Sequence, residues 1–162
     1  MLLISKSVTI VGRLLKRDFM QVFVPELDFQ SIAKVLDYRR LGKQRVETFQ
    51  ILRANLGMTN GWRNHPASRM WADNLPGLSA YGVAMCLEWK SRGYKDTTMD
   101  KIVELVKPDE TDLPEWWGRM DIVDSHRSNL IRKAPEFYGG IWEGIPDDLP
   151  YVWVDSDSNS LV

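Results

Sequence analysis

The apolar positions of the chain fall mainly at helical spacing. From Met20 the chain opens on Met-Gln-Val-Phe-Val-Pro and then changes period. Ile32, Val35 and Leu36 form the stripe of a short helix, with Asp28 placed as its N-cap. The spacing predicts a longer helix over 40–56, with Val46, Phe49, Leu52 and Leu56 turned inward and Gly57 as the residue after its end. Residues 58–65 read as a loop around Asn60-Gly61, and Pro66 suits the first turn of the next helix. A helix over 78–92 sets Leu78, Tyr81, Met85 and Trp89 on one face and stops at Gly93. Thr97 and Asp100 resemble a cap ahead of Met99, Ile102, Val103 and Val106. Residues 107–120, with two prolines and Trp116-Trp117, read as a loop. Ser125 is expected to cap a helix ending at Lys133, and Pro135 to start one more turn. With no internal repeat, the sum is an all-α fold: one compact helical domain with long loops and an irregular C-terminal tail.

Length agrees with a single domain, at 162 residues. Residues 1–19 carry four bases and one acid and lack the apolar core of a signal peptide. They are read as an extension ahead of a working start at Met20. Residues 20–154 form the domain, and 155–162 are expected to be a flexible acidic tail. A single cysteine excludes an internal disulfide framework and any multi-cysteine zinc site, and Cys86, beside Met85 and Leu87, reads as a buried inert thiol. No apolar run approaches the ~18 residues of a membrane span. A cytoplasmic monomer is therefore expected.

Charge changes the picture through its distribution. The net charge of −1 is not that of a generic nucleic-acid binder. Yet residues 34–69 hold eight Lys/Arg against two acids, while 96–124 hold nine acids against three bases and 143–162 hold five acids and no base. The basic region coincides with the long helix. There Arg40, Lys43, Gln44 and Glu47 share one face, because side chains three and four apart are neighbours. A carboxylate among cations is expected to be held ionised, fit to stabilise a cationic sugar centre or move a proton. The cations would clamp phosphates. Spacing alone equally describes an exposed Lys–Glu pair worth ~0.3–0.5 kcal/mol. His65 and His126 each read as lying near a helix entrance, with no third ligand at metal-like spacing, so no metal is expected. No phosphate-binding glycine loop or nucleophile elbow is present, and no cofactor is expected.

Four blocks carry a resemblance. They are Leu36-Asp-Tyr-Arg-Arg-Leu-Gly-Lys-Gln-Arg-Val-Glu47, Asn64-His-Pro-Ala-Ser-Arg-Met-Trp71, Cys86-Leu-Glu-Trp-Lys-Ser-Arg-Gly-Tyr-Lys-Asp-Thr-Thr98 and Ser125-His-Arg-Ser-Asn-Leu-Ile-Arg-Lys-Ala-Pro-Glu-Phe-Tyr138. In this order they resemble the pyrimidine-dimer DNA glycosylase family, the phage-type endonuclease V group and its bacterial relatives. The resemblance implies excision of a damaged pyrimidine from double-stranded DNA by an amine that attacks C1′. The resulting imine then permits β-elimination at the 3′ phosphate, the AP-lyase step. In the phage members the amine is the chain's own N-terminus, and an α-amino group, at about 7.7–8.0 against about 10.4 for lysine, is neutral more often near pH 7. The phage motif reads Tyr-Arg-Glu-Leu-Pro-Arg, whereas here Arg40 stands at the glutamate's place. Glu47, two turns on, is the carboxylate read in its stead, with Met20 and Lys43 as the candidate amines. The expected DNA contacts are Arg39, Arg40, Arg45, His65, Arg69, His126, Arg132, Lys133 and Tyr138. Two other readings of the same surface stand beside this one: a non-cleaving binder of distorted or modified DNA, and an enzyme acting on modified bases or free nucleotides.

Overall fold

Residues 20–24 run extended through the interior, every one of them buried, with no sheet beside them. The structure, a computed structural model, describes residues 20–161; the expected extension over 1–19 lies outside the described residues. Buried peptide groups must be paired. Since no strand pairs with this segment, side chains do it. The Phe23 N–H donates to Gln44 Oε1 at 3.0 Å and the Val24 N–H to His126 Nδ1 at 2.9 Å. Gln44 Nε2 donates to the Gln21 carbonyl at 2.8 Å, the Tyr81 hydroxyl to the Phe23 carbonyl at 2.8 Å, and Arg127 Nε to the Pro25 carbonyl at 2.7 Å.

Those side chains come from three helices. Among the described residues there are seven: α1 (Phe29–Val35), α2 (Tyr38–Asn55), α3 (Pro66–Met70), α4 (Leu75–Ser91), α5 (Met99–Leu105), α6 (Met120–Lys133) and α7 (Pro135–Tyr138). The chain is 51% helical without a strand among the described residues, an all-α domain. Gln44 stands on α2, Tyr81 on α4, His126 and Arg127 on α6. Helices α2 and α4 pack most extensively, and α1 and α5 close around them. Asp28 caps α1, accepting from the Ser31 N–H at 2.8 Å. The ends of α2 and α4 are followed by Gly57 and Gly93 at φ +74° and +93°, a left-handed turn that favours glycine. Cys86 is buried, and burial pushes its thiol well above the ordinary range.

The inward face of α2 differs from the one the apolar pattern predicts. Leu41, Gln44, Thr48, Ile51 and Leu52 are buried, whereas Val46 and Leu56 are 43% and 44% exposed. Two polar residues sit on the buried stripe, so counting apolar positions rotates the helix. Likewise α6 begins five residues before Ser125. Ser125 lies within the helix, donating to the Ile122 carbonyl at 2.8 Å instead of capping. Thr98 is the N-cap residue of α5, and it is Asp96 that accepts from the Met99 N–H, at 2.8 Å; Val103 faces outward. From residue 155 the acidic stretch makes a closed turn. The Asp155 carboxylate accepts from the Asp157 and Asn159 N–H groups, and Val154 bridges to Ser160.

His126 carries a consequence for stability. Its Nδ1 must be unprotonated to accept from Val24, and complete burial pushes it down from 6.5 to about 3. The unfolded chain binds this proton near pH 6.5 and the folded chain only near pH 3. The contribution is therefore whole above pH 6.5 and lost as pH falls toward 3, up to about 5 kcal/mol. Melting temperature should fall between pH 6.5 and 4, and His126→Gln, which keeps an acceptor but not the titration, should flatten that fall.

Candidate active site

Helix α2 begins at Tyr38 because Asp37 turns the chain there, and Asp37 is itself held from both sides. Its N–H donates to the Tyr138 hydroxyl at 2.8 Å, the same hydroxyl donates to its carboxylate, and Arg40 pairs with it at 3.3 Å. The first three turns of α2 then present Arg39, Arg40, Lys43, Gln44 and Glu47 to a cavity of about 420 Å³. Phe23 from the buried segment and Lys133 from the last turn of α6 complete its wall. A second cleft of about 440 Å³, which includes Tyr38 and Phe137, adjoins it across Arg39, Arg40 and Lys133.

Glu47 is the acid of this cavity. It accepts from Gln44 Nε2 at 3.0 Å and from the Gln21 N–H. Burial pushes its carboxyl up from 4.5 to about 7, and the Gln21 N–H, Lys43, Gln44 and Lys133 pull the other way without prevailing. The expectation of a firmly ionised carboxylate is thus corrected: lost hydration outweighs the pull of the nearby cations. At neutral pH both forms of Glu47 are populated, which suits a group that takes or gives a proton.

Gln44 sets the direction of that carboxyl. Its Oε1 is fixed as an acceptor by the Phe23 N–H, and the Tyr81 hydroxyl oxygen lies 2.7 Å from it. Its Nε2 is fixed as a donor by the Gln21 carbonyl. The amide therefore has one orientation, and its remaining N–H meets Glu47 Oε2. Sequence reasoning set Gln44 on the cationic face and assigned no part to Gln21, Phe23 or Tyr81. The available signal was the run Leu41, Gln44, Thr48, Ile51, which carries the helical period through two polar residues.

Of the predicted residues, the structure brings Arg39, Arg40, Lys43, Glu47 and Lys133 to one cavity. Met20 is buried one residue from the Gln21 N–H that Glu47 accepts. The others stand elsewhere. Arg45 pairs with Asp96 and lies 4.3 Å from the Trp89 ring centroid. His65 caps α3, accepting from the Ala67 N–H at 3.1 Å, and Arg69 is exposed on that helix. Arg132 donates to the Asp147 carbonyl at 2.7 Å. His126 and Tyr138, both expected to touch DNA, are core residues with no exposed surface; their polar atoms hold Val24 and Asp37. His126 falls inward because α6 starts earlier than its apolar pattern suggests.

A family model described as pyrimidine dimer DNA glycosylase matches residues 20–102, just over half of the chain. The chain belongs to that family. No curated protein and no solved structure matches it. The matched stretch holds the buried segment and α1 to α4, hence every cavity residue except Lys133. Among the described residues no helix is long and apolar enough to cross a membrane.

The raised carboxyl of Glu47 makes a further prediction. Ionised, it is a partly buried charge that the folded state disfavours relative to the unfolded chain, where it titrates near 4.5. The cost is present above pH 7 and disappears as pH falls toward 4.5. Glu47→Gln should therefore raise stability at pH 8 by about 1–3 kcal/mol and change it little at pH 4.5, as read by denaturant titration.

Proposed function

We propose that the protein excises a damaged pyrimidine from double-stranded DNA and then opens the strand at the same sugar as an AP lyase. The observation that carries this reading is the half-buried Glu47 carboxyl in a cavity bordered by Arg39, Arg40, Lys43 and Lys133. Four cations at one opening suit the phosphates on either side of a sugar. A carboxyl with a value near 7 suits the sugar itself. As C1′ loses its base it becomes cationic, and an ionised Glu47 stabilises that charge where water is partly excluded.

The nucleophile is an amine. Lys43 lies one helical turn before Glu47, lines the same cavity and is the amine we assign in this chain. A chain that began at Met20 would instead place an α-amine beside Gln21, next to the same carboxylate. In either case the nitrogen lone pair forms a bond to C1′, and the base leaves with the glycosidic electron pair and takes up a proton. The nitrogen then sheds a proton and its lone pair expels O4′ from C1′, giving the protonated imine while O4′ takes up a proton; the imine acidifies C2′–H, and removal of that proton forms the C2′–C3′ double bond as the 3′ phosphate leaves with the C3′–O electron pair.

Borohydride should trap a covalent complex between the protein and duplex DNA containing an abasic site. Peptide mapping should place the adduct on Lys43, or on the α-amine in a chain beginning at Met20; no trapped complex from either chain overturns the imine mechanism. Excision should rise with pH through a midpoint near 7. Glu47→Gln should remove that midpoint and lower the rate about 100-fold or more.

A further inference from the structure

Asp37 stands at the N-cap of α2 and does not cap it. Its backbone is extended, at φ −64° and ψ 160°, as a capping residue's is, yet its side chain accepts no N–H of the helix. Asp28, at the same place on α1, does accept one, from Ser31. The Asp37 carboxylate is turned instead to two other donors. The Tyr138 hydroxyl donates to Oδ1, and Arg40 Nη1 donates to Oδ2 at 3.3 Å. Tyr138 is a rigid pin. It is buried, its ring stacks on Trp142 at 9° with centroids 5.6 Å apart, and the Trp142 indole N–H donates to Glu26 at 2.8 Å. The Asp37 N–H donates to the same hydroxyl at 2.8 Å, so its carboxylate and its peptide group are fastened to one ring. Burial, and then the bond to Asp37, push that hydroxyl well above its ordinary range, which keeps it a donor.

We propose that Asp37 is a positioning residue that holds Arg40 as a clamp for a backbone phosphate of DNA lying between the two clefts. Arg40 borders both of them, the cavity with Glu47 and the cleft with Tyr38 and Phe137. A long cationic side chain at a surface samples many rotamers, and fixing it on binding costs entropy. Here one N–H of a planar guanidinium goes to a carboxylate that is itself pinned, and this is the hydrogen bond Arg40 makes among the described residues. Arginine has five N–H donors in a rigid fork, so the others keep a set direction toward a phosphate. The position of Asp37 argues for the same role. A carboxylate beside a phosphate site repels the ligand, so it opposes binding unless it acts through the arginine. The helix-capping bond that Asp37 forgoes is a second sign that its side chain serves Arg40.

The inference rests on the reading that this surface engages DNA, and its test is independent of cleavage. The probe is a labelled duplex with one tetrahydrofuran residue, an abasic analogue that forms no imine. Binding is read by fluorescence anisotropy from about 50 to 200 mM salt. Arg40→Ala should weaken binding about tenfold and flatten the slope of log K against log salt by about 0.9. Asp37→Asn keeps the shape of the side chain and removes a negative charge next to the DNA. It should nevertheless weaken binding, about three- to tenfold, and flatten the slope. In the Arg40→Ala background the same change should tighten binding, because only the repulsion is left to remove. Tyr138→Phe, which removes the pin and keeps the ring, should weaken binding as Asp37→Asn does, and it decides the matter if Asp37→Asn does not fold. An Asp37→Asn protein that binds as tightly as the wild type, or more tightly, overturns the inference; so does equal weakening with and without Arg40. A wild type that does not bind this duplex overturns the DNA reading and the inference together. Failure of borohydride trapping leaves the measurement untouched.

Discussion

A buried extended segment without a sheet is the constraint on which the rest of the structure depends. Residues 20–25 present peptide groups to an interior made of helices, and helices have no spare backbone donors or acceptors along their length to offer. An unpaired buried peptide group costs about 1–3 kcal/mol, a large part of a typical domain's stability. Gln44, Tyr81, His126 and Arg127 meet that demand from three helices. The segment therefore fixes where α2, α4 and α6 sit about it. This also explains polar residues at the centre of the core. Gln44 and His126 are buried as thoroughly as the leucines around them, because their partners are peptide groups instead of water.

The candidate site is a by-product of the same arrangement. One amide, Gln44, serves the buried backbone with two of its bonds, from the Phe23 N–H and to the Gln21 carbonyl, and Glu47 with another. Whatever holds the segment thus holds the carboxyl. The burial that makes the segment stable also strips water from Glu47 and raises it to about 7, against the pull of Lys43 and Lys133. Core and chemistry are coupled here at the level of single atoms. A residue that looks structural, such as Tyr81, lies with its hydroxyl against the same Gln44 amide that donates to the acid. Lys133 shows the coupling at larger scale. It comes from the end of α6, outside the stretch that matches the family model, yet it closes the cavity, and α6 also supplies His126 to the segment.

Much of the fold was legible because its signals are local. Asp28 as a cap, Pro66 as a first turn, and Gly57 and Gly93 as stops all act within a few residues, and each stands where local chemistry placed it. The cationic cluster was legible too, since Arg39, Arg40, Lys43 and Glu47 share one helix. What was not legible depends on distant partners. The rotation of α2 follows from Gln44 meeting Phe23, and the inward turn of His126 from meeting Val24, 102 residues away. A polar residue at a buried position looks like a surface residue until its partner is known. The same blindness applied to Tyr138, whose conspicuous place in a basic block concealed a hydroxyl spent on Asp37.

The charge distribution becomes intelligible in this frame. A net charge of −1 suits weak non-specific attraction to DNA, and the cations of the cavity are concentrated where α2 starts and α6 ends. Coulomb attraction acting over a Debye length of about 8 Å makes such a local cluster effective while acidic stretches elsewhere discourage binding in other orientations. Helix ends matter to this as well. Lys133 sits in the last turn of α6, where a cation is favoured by the helix dipole by ~0.3–1 kcal/mol. Arg39 and Arg40 stand instead in the first turn of α2, where the dipole disfavours them. Arg40 is offset by Asp37 and Arg39 by the Tyr38 hydroxyl. Cations kept at an unfavourable helix end, and tethered there individually, are better explained by an anionic ligand than by stability.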